Sequence, residues 1–178
     1  MPTYIAFLRA INVGGRFAKM ADLRAGLVRN GLAEVESYIQ SGNLRLTSNR
    51  QAASEVEADL ESILKELCGF TVSTIVRTPA QLGELASYGA GLAVPLEGEV
   101  RRYVTFLKKD PDDGFRATFD GWDIPGERAH LNGREVYLWL AHPSHTAKLS
   151  NARIERGGVV ATTRDWKVVS ALGKAWGG

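Results

Sequence analysis

Ten residues in three bends of this chain are of types that could hold an anion: Arg9, Asn12, Gly14, Gly15, Lys19; Gln40, Ser41, Asn43; and Thr163 with Arg164. The first bend follows an apolar run, Tyr4 to Leu8, and breaks at Gly14-Gly15. A glycine turn that opens a helix can aim its N–H groups at an anion, helped by the helix dipole. Arg9, Arg16 and Lys19 would supply the cations. The turn lacks the G-K-[S/T] ending of a P-loop and the G-x-G-x-x-G of a dinucleotide site. Glycines in a strand-to-helix turn can also serve geometry alone. Both readings stay open at this point.

Gln40-Ser41-Gly42-Asn43 is polar where a generic hairpin turn would do. Gln and Asn each offer a donor and an acceptor, which suits a base edge or an amide, or equally the stitching of a neighbouring loop. Ser41 lacks a G-x-S-x-G setting and a histidine at a motif-like spacing, so it is no nucleophile. In Thr162-Thr163-Arg164-Asp165-Trp166 a threonine is expected to cap the last helix. Arg164 would then oppose the dipole in the first turn, by about 0.3–1 kcal/mol. Asp165 could offset this, or Arg164 could be held for a ligand or an acidic partner residue. Trp166 is read as a core anchor ahead of a stacking platform.

Other chemistry-bearing residues give less. His142 and His145 are three apart with no third ligand, and three histidines with one cysteine are little material for a metal site. No metal or cofactor is implied. The carboxylate pairs Asp112-Asp113 and Asp120-Asp123 read as solvated loops, and Cys68 as a small core residue. A lone cysteine fits a reducing cytoplasm. No signal peptide or apolar stretch long enough for a bilayer is read, so no membrane partner is expected.

A chain of 178 residues, 44% hydrophobic and 24% charged, can bury one good core or two small ones. The net charge of +2 is uneven: residues 144–178 hold 6 basic and 2 acidic side chains. That segment could face an anionic partner or be a solvated face. The pattern reads strand 3–8, helix from Met20 to an Asn30-Gly31 stop, strands 34–39 and 44–47 around a tight Ser41-Gly42 turn, and an amphipathic helix through Leu67. A strand over 71–77 and a Thr78-to-Gln81 capping box follow. Residues 87–99 read as an irregular connection.

The pattern then reads a second time as a strand over 101–107, a helix over 112–119, a hairpin about Asn132-Gly133, a helix over 144–156, a strand over 159–161 and a helix from Thr163 to Trp176. The expected fold is therefore α+β: two ferredoxin-like (split βαβ) halves related by internal duplication, with antiparallel sheets and helices on one face. The halves are expected over 1–88 and 100–178, joined by 89–99, with an extra C-terminal helix. In that topology the end of the first strand and the hairpin at 40–43 meet at one sheet edge.

Four segments, Leu8-Arg9-Ala10-Ile11-Asn12-Val13-Gly14-Gly15, Lys19-Met20-Ala21-Asp22-Leu23, Tyr38-Ile39-Gln40-Ser41-Gly42-Asn43 and Thr162-Thr163-Arg164-Asp165-Trp166, resemble the bacterial domain of unknown function 1697 family. The resemblance implies an α+β protein of similar size and no established activity. Ala10 stands where that pattern usually has glycine, and Asp165 where it has asparagine. The expected function is a binding module for a small anion, a nucleotide or a nucleic-acid segment at the Gly14-Gly15 and Gln40-Asn43 edge. The alternatives are a structural protein without ligand, or an enzyme on a phosphorylated or carboxylated metabolite. In the enzyme, Arg9 and Arg164 would clamp the substrate and Asp22 or Asp165 would move protons.

Overall fold

Tyr4-Ile5-Ala6-Phe7-Leu8 is apolar throughout, and in the computed structural model, which describes residues 1–178, all five are buried on both faces of strand β1 (Thr3–Leu8). The chain continues through α1 (Met20–Arg29), β2 (Ala33–Tyr38), β3 (Asn43–Thr47), α2 (Ala53–Cys68), β4 (Thr74–Arg77) and α3 (Pro79–Gly91). It then forms β5 (Arg101–Leu107), α4 (Asp113–Phe119), β6 (Asp123–Ile124), β7 (Glu127–Asn132), β8 (Glu135–Leu140), α5 (Asn151–Glu155), β9 (Ala161–Asp165) and α6 (Trp166–Trp176). The architecture is mixed α and β with two antiparallel sheets, in the orders β2-β3-β1-β4 and β6-β7-β8-β5-β9. No helix is long and apolar enough to cross a membrane.

The chain divides into two compact units, Met1–Gly83 with Ala175–Gly178, and Glu84–Lys174. In the first, Leu23 and Leu27 of α1 and Leu60 and Leu64 of α2 are buried with Ala6, Leu8, Leu44, Leu46 and Val76 of the sheet. The helical spacing of these leucines is what lays both helices on the sheet. Edge strand β4 would leave N–H groups unpaired. Glu61 accepts from the Thr74 N–H at 2.8 Å and buried Glu57 from the Val76 N–H at 2.9 Å. In the second unit Phe115, Phe119, Leu131, Val136, Leu138, Leu149 and Ile154 form the core.

The Thr78–Gln81 capping box forms as expected: the Gln81 N–H donates to Thr78 Oγ1 at 3.2 Å and the Thr78 N–H to Gln81 Oε1 at 2.9 Å. Several boundaries differ. Residues 87–91 complete α3 instead of joining the irregular connection. The helix expected over 144–156 is broken: a 3-10 turn at Ser144–Thr146 precedes α5. Between them the Lys148 and Leu149 N–H groups donate to buried Glu127, at 2.7 and 2.8 Å, and so leave the helical pattern. Thr162, Thr163 and Arg164 lie on β9, paired with β5, so α6 starts three residues later than the helix expected from Thr163. Short β6 gave no sequence signal, since two residues carry no period.

Candidate functional site

The two bends of the first unit meet. The Leu8 N–H donates to the Gly42 carbonyl at 2.8 Å, and a Cβ on Gly42 would lie 2.6 Å from the Ile11 side chain. Asn12 bridges them: its Nδ2 donates to the Gln40 carbonyl at 2.8 Å while its Oδ1 accepts from the Ala18 N–H at 2.8 Å. One side chain thus fixes the first bend to itself and to the hairpin.

The Gly14-Gly15 pair does not open a helix. Val13 and Arg16 form an antiparallel bridge, with the Asn12 N–H donating to Arg16 O at 2.8 Å. Gly14 and Gly15 have φ of 58° and 82°, the two left-handed residues of a two-residue reverse turn. A Cβ on either would meet nothing, so it is conformation and not space that requires glycine here. Helix α1 begins at Met20 after Lys19, with no side-chain cap. Neither glycine N–H therefore belongs to the first turn of α1.

The hairpin loop is four residues, Ile39–Gly42, between the terminal pair Tyr38 and Asn43. Asn43 is fully buried, and its Nδ2 donates to Tyr38 O at 3.1 Å and to Ser41 Oγ at 3.0 Å. It closes the turn. Arg16 is likewise occupied, donating to Thr71 O at 2.8 Å with its guanidinium 4.7 Å over the Phe70 ring. Arg9 is partly buried, and its N–H donates to Ser73 O at 2.8 Å. Lys19 and Gln40 are exposed.

The bends also expose apolar side chains that no sequence motif marks, Phe17 at 74%, Val13 at 54% and Ile39 at 49% exposure. Their backbone is strained. Ala10, Asn12 and Ile39 have φ of 54°, 57° and 53°, and the chain's one other left-handed residue that is not glycine is Glu34. Glycine at position 10, usual in the pattern noted above, is the residue that conformation favours.

Thr163 and Arg164 belong to the second unit. Thr163 Oγ1 donates to Asn151 Oδ1 at 2.9 Å and lies 2.7 Å from Thr105 Oγ1. Arg164 is buried, with Nη1 donating to Thr162 Oγ1 at 2.8 Å and to Thr163 O at 3.1 Å. Burial lowers its pKa to about 10, so it remains a cation at neutral pH. Asp165 accepts from the Lys167 N–H at 2.8 Å at the start of α6. Trp166 lies under the Arg102 guanidinium at 4.5 Å and against Gly89, an anchor within its unit. No group of three or more His, Cys, Asp or Glu side chains is placed to hold a metal ion.

A solved structure of the conserved bacterial protein SP0830 from Streptococcus pneumoniae is similar, with a TM-score of 0.73 at 25% identity over 99% of this chain and 98% of that one. No curated protein matches the chain. The family described as protein of unknown function (DUF1697) matches residues 1–137, which include both bends of the rim. On that match the chain belongs to the DUF1697 family.

Proposed function

We propose that the rim built from residues 9–19 and 39–43 is a binding site for an anionic ligand: a small anion, a nucleotide or a nucleic-acid segment. The observation that carries this reading is strain. Three of the four left-handed residues other than glycine, Ala10, Asn12 and Ile39, fall on two bends that one asparagine ties together. Such conformations cost about 1–3 kcal/mol each and gather where a site must be held in shape. Lys19 and the Gln40 amide line this rim with side chains that no protein group claims. Exposed Phe17 and Val13 would lie against the apolar part of a ligand such as a base. Arg9 adds charge at the root of the loop, and Asn43 and Ser41 hold the hairpin.

The fold reading that goes with this is an internal duplication of a ferredoxin-like (split βαβ) unit, with halves near 1–88 and 100–178. The strand orders support it: in each sheet the first strand lies between the third and the last, with β6 as an addition to the second. Residues support it too. Tyr4, Phe7 and Leu8 of β1 correspond to Tyr103, Phe106 and Leu107 of β5. Arg77 pairs with Ile5, and Arg164 pairs with Val104 one residue after the corresponding tyrosine.

A second reading, in which the rim only holds the fold, draws on Asn12, Arg16 and Asn43, whose side chains bond to protein. Thermal-shift and calorimetric titration with nucleotides and inorganic phosphate separates the two. Binding predicts a rise in Tm that Lys19→Ala and Gln40→Ala each reduce with the unliganded Tm unchanged. No shift with any of these ligands leaves the structural reading.

A further inference from the structure

The second unit holds a half-open cavity of about 450 Å³ lined by Glu99, Arg101, His142, Pro143, Ser144 and His145. Its walls follow from the register of the sheet: Arg101 pairs with Leu140, so the start of β5 adjoins the end of β8, where the chain leaves as the loop 141–149. A solvent-facing loop of this kind is ordinarily loose. This one is fastened at many points. Buried Glu127 accepts from the Lys148 and Leu149 N–H groups and sits 3.2 Å from His142 Nε2. The Ala141 N–H donates to Gly126 O at 2.9 Å, and Thr146 Oγ1 donates to Pro143 O at 2.8 Å. Gly126 leaves His142 its place, since a Cβ there would stand 2.7 Å from the ring.

Burying a carboxylate is costly unless its partners are worth it. Here the carboxylate serves a surface loop, and what the loop presents is Ser144 and His145, both exposed, facing the same cavity as Arg101. His142 is occupied on both ring nitrogens, with Nδ1 3.2 Å from Thr146 Oγ1, so it shapes the floor. The Arg101, Ser144 and His145 side chains make no hydrogen bond within the protein. A guanidinium, a hydroxyl and an imidazole on a rigid frame are donors suited to phosphate oxygens. Glu99 on the same wall would repel a bare anion, but suits a ligand with a cationic end.

We infer that this cavity is a second ligand site, separate from the rim, for a small phosphate monoester that also carries an ammonium group. Arg101, Ser144 and His145 receive the phosphate, and Glu99 receives the ammonium. O-phosphoethanolamine is the probe, added to the full chain while the ring resonances of His145 are followed by NMR and heats by calorimetry. The expected result is a saturable shift at His145. Arg101→Ala and His145→Ala should each weaken the calorimetric affinity at least tenfold. Glu99→Gln should weaken phosphoethanolamine several-fold while strengthening inorganic phosphate. All the substituted side chains are exposed, and circular dichroism confirms that each variant is folded. The absence of a saturable shift, or an affinity unmoved by Arg101→Ala, overturns the site. An unchanged preference in Glu99→Gln overturns the ammonium assignment.

Discussion

Ile39 is a β-branched residue held at φ 53° and half exposed, and little in its own side chain repays that conformation. An L-residue in the left-handed region costs about 1–2 kcal/mol, and glycine removes this at some cost in unfolded-chain entropy. Ile39→Gly is therefore expected to stabilise the protein by about 0.5–1 kcal/mol in urea unfolding. If the rim binds an anionic ligand as proposed, the same change loosens the hairpin and lowers affinity, so stability and binding move in opposite directions. Asn12 makes the contrasting case. Asn12→Ala removes two hydrogen bonds, to Gln40 O and from the Ala18 N–H, and should cost about 1–2 kcal/mol. The hydrogen-exchange protection of the Ala18 amide should fall with it.

Among the elements, β8 is tied to α3 by the Tyr137 hydroxyl, which donates to Leu85 O at 2.9 Å. Burial first, then Glu135 and Tyr88, pushes the Tyr137 phenol well above its ordinary value of 10. A phenol whose pKa is raised on folding contributes stability that is whole below pH 10 and is lost as pH rises beyond it. Arg164, lowered to about 10 by burial, acts in the opposite sense over the pH range above that value. The comparison that isolates the tyrosine is parent against Tyr137→Phe. The variant should be about 1 kcal/mol less stable at pH 7, and the gap should close above pH 10. Helix α2 shows a related economy, since its Glu57 and Glu61 complete the edge of β4. Glu57→Ala should cost about 1–3 kcal/mol in the denaturation midpoint, because it leaves the buried Val76 N–H without an acceptor.

For the whole molecule, charge and the single thiol give two global readouts. The proposed rim would engage two or three phosphates of a nucleotide or short single strand through cations such as Lys19. Raising salt from 50 to 200 mM should then weaken such binding by about tenfold. An affinity indifferent to salt would place the binding energy elsewhere. Cys68, at the end of α2, is partly buried and its thiol is raised by that burial, so little thiolate is present at neutral pH. Its alkylation should be slow in the folded chain and should accelerate along the same urea transition that fluorescence reports.

Local rules written in the residues themselves set much of this protein. The apolar run of β1, the leucine spacing of α1 and α2, the Thr78–Gln81 capping box and the Asn132-Gly133 turn each follow from period or turn chemistry that neighbouring residues complete. The meeting of the first bend with the hairpin was also legible, because strand order follows from the sequence of elements. Contacts between residues far apart in the chain decided the rest. Glu127 draws the Lys148 and Leu149 N–H groups away from a helix that local pattern favours. Pairing with β5 extends Thr162 to Arg164 into a strand and buries an arginine that looked like a ligand clamp. In each case a hydrogen-bond partner distant in sequence outweighs a local preference worth about 1 kcal/mol or less per residue, and such partners exist only once the chain has folded.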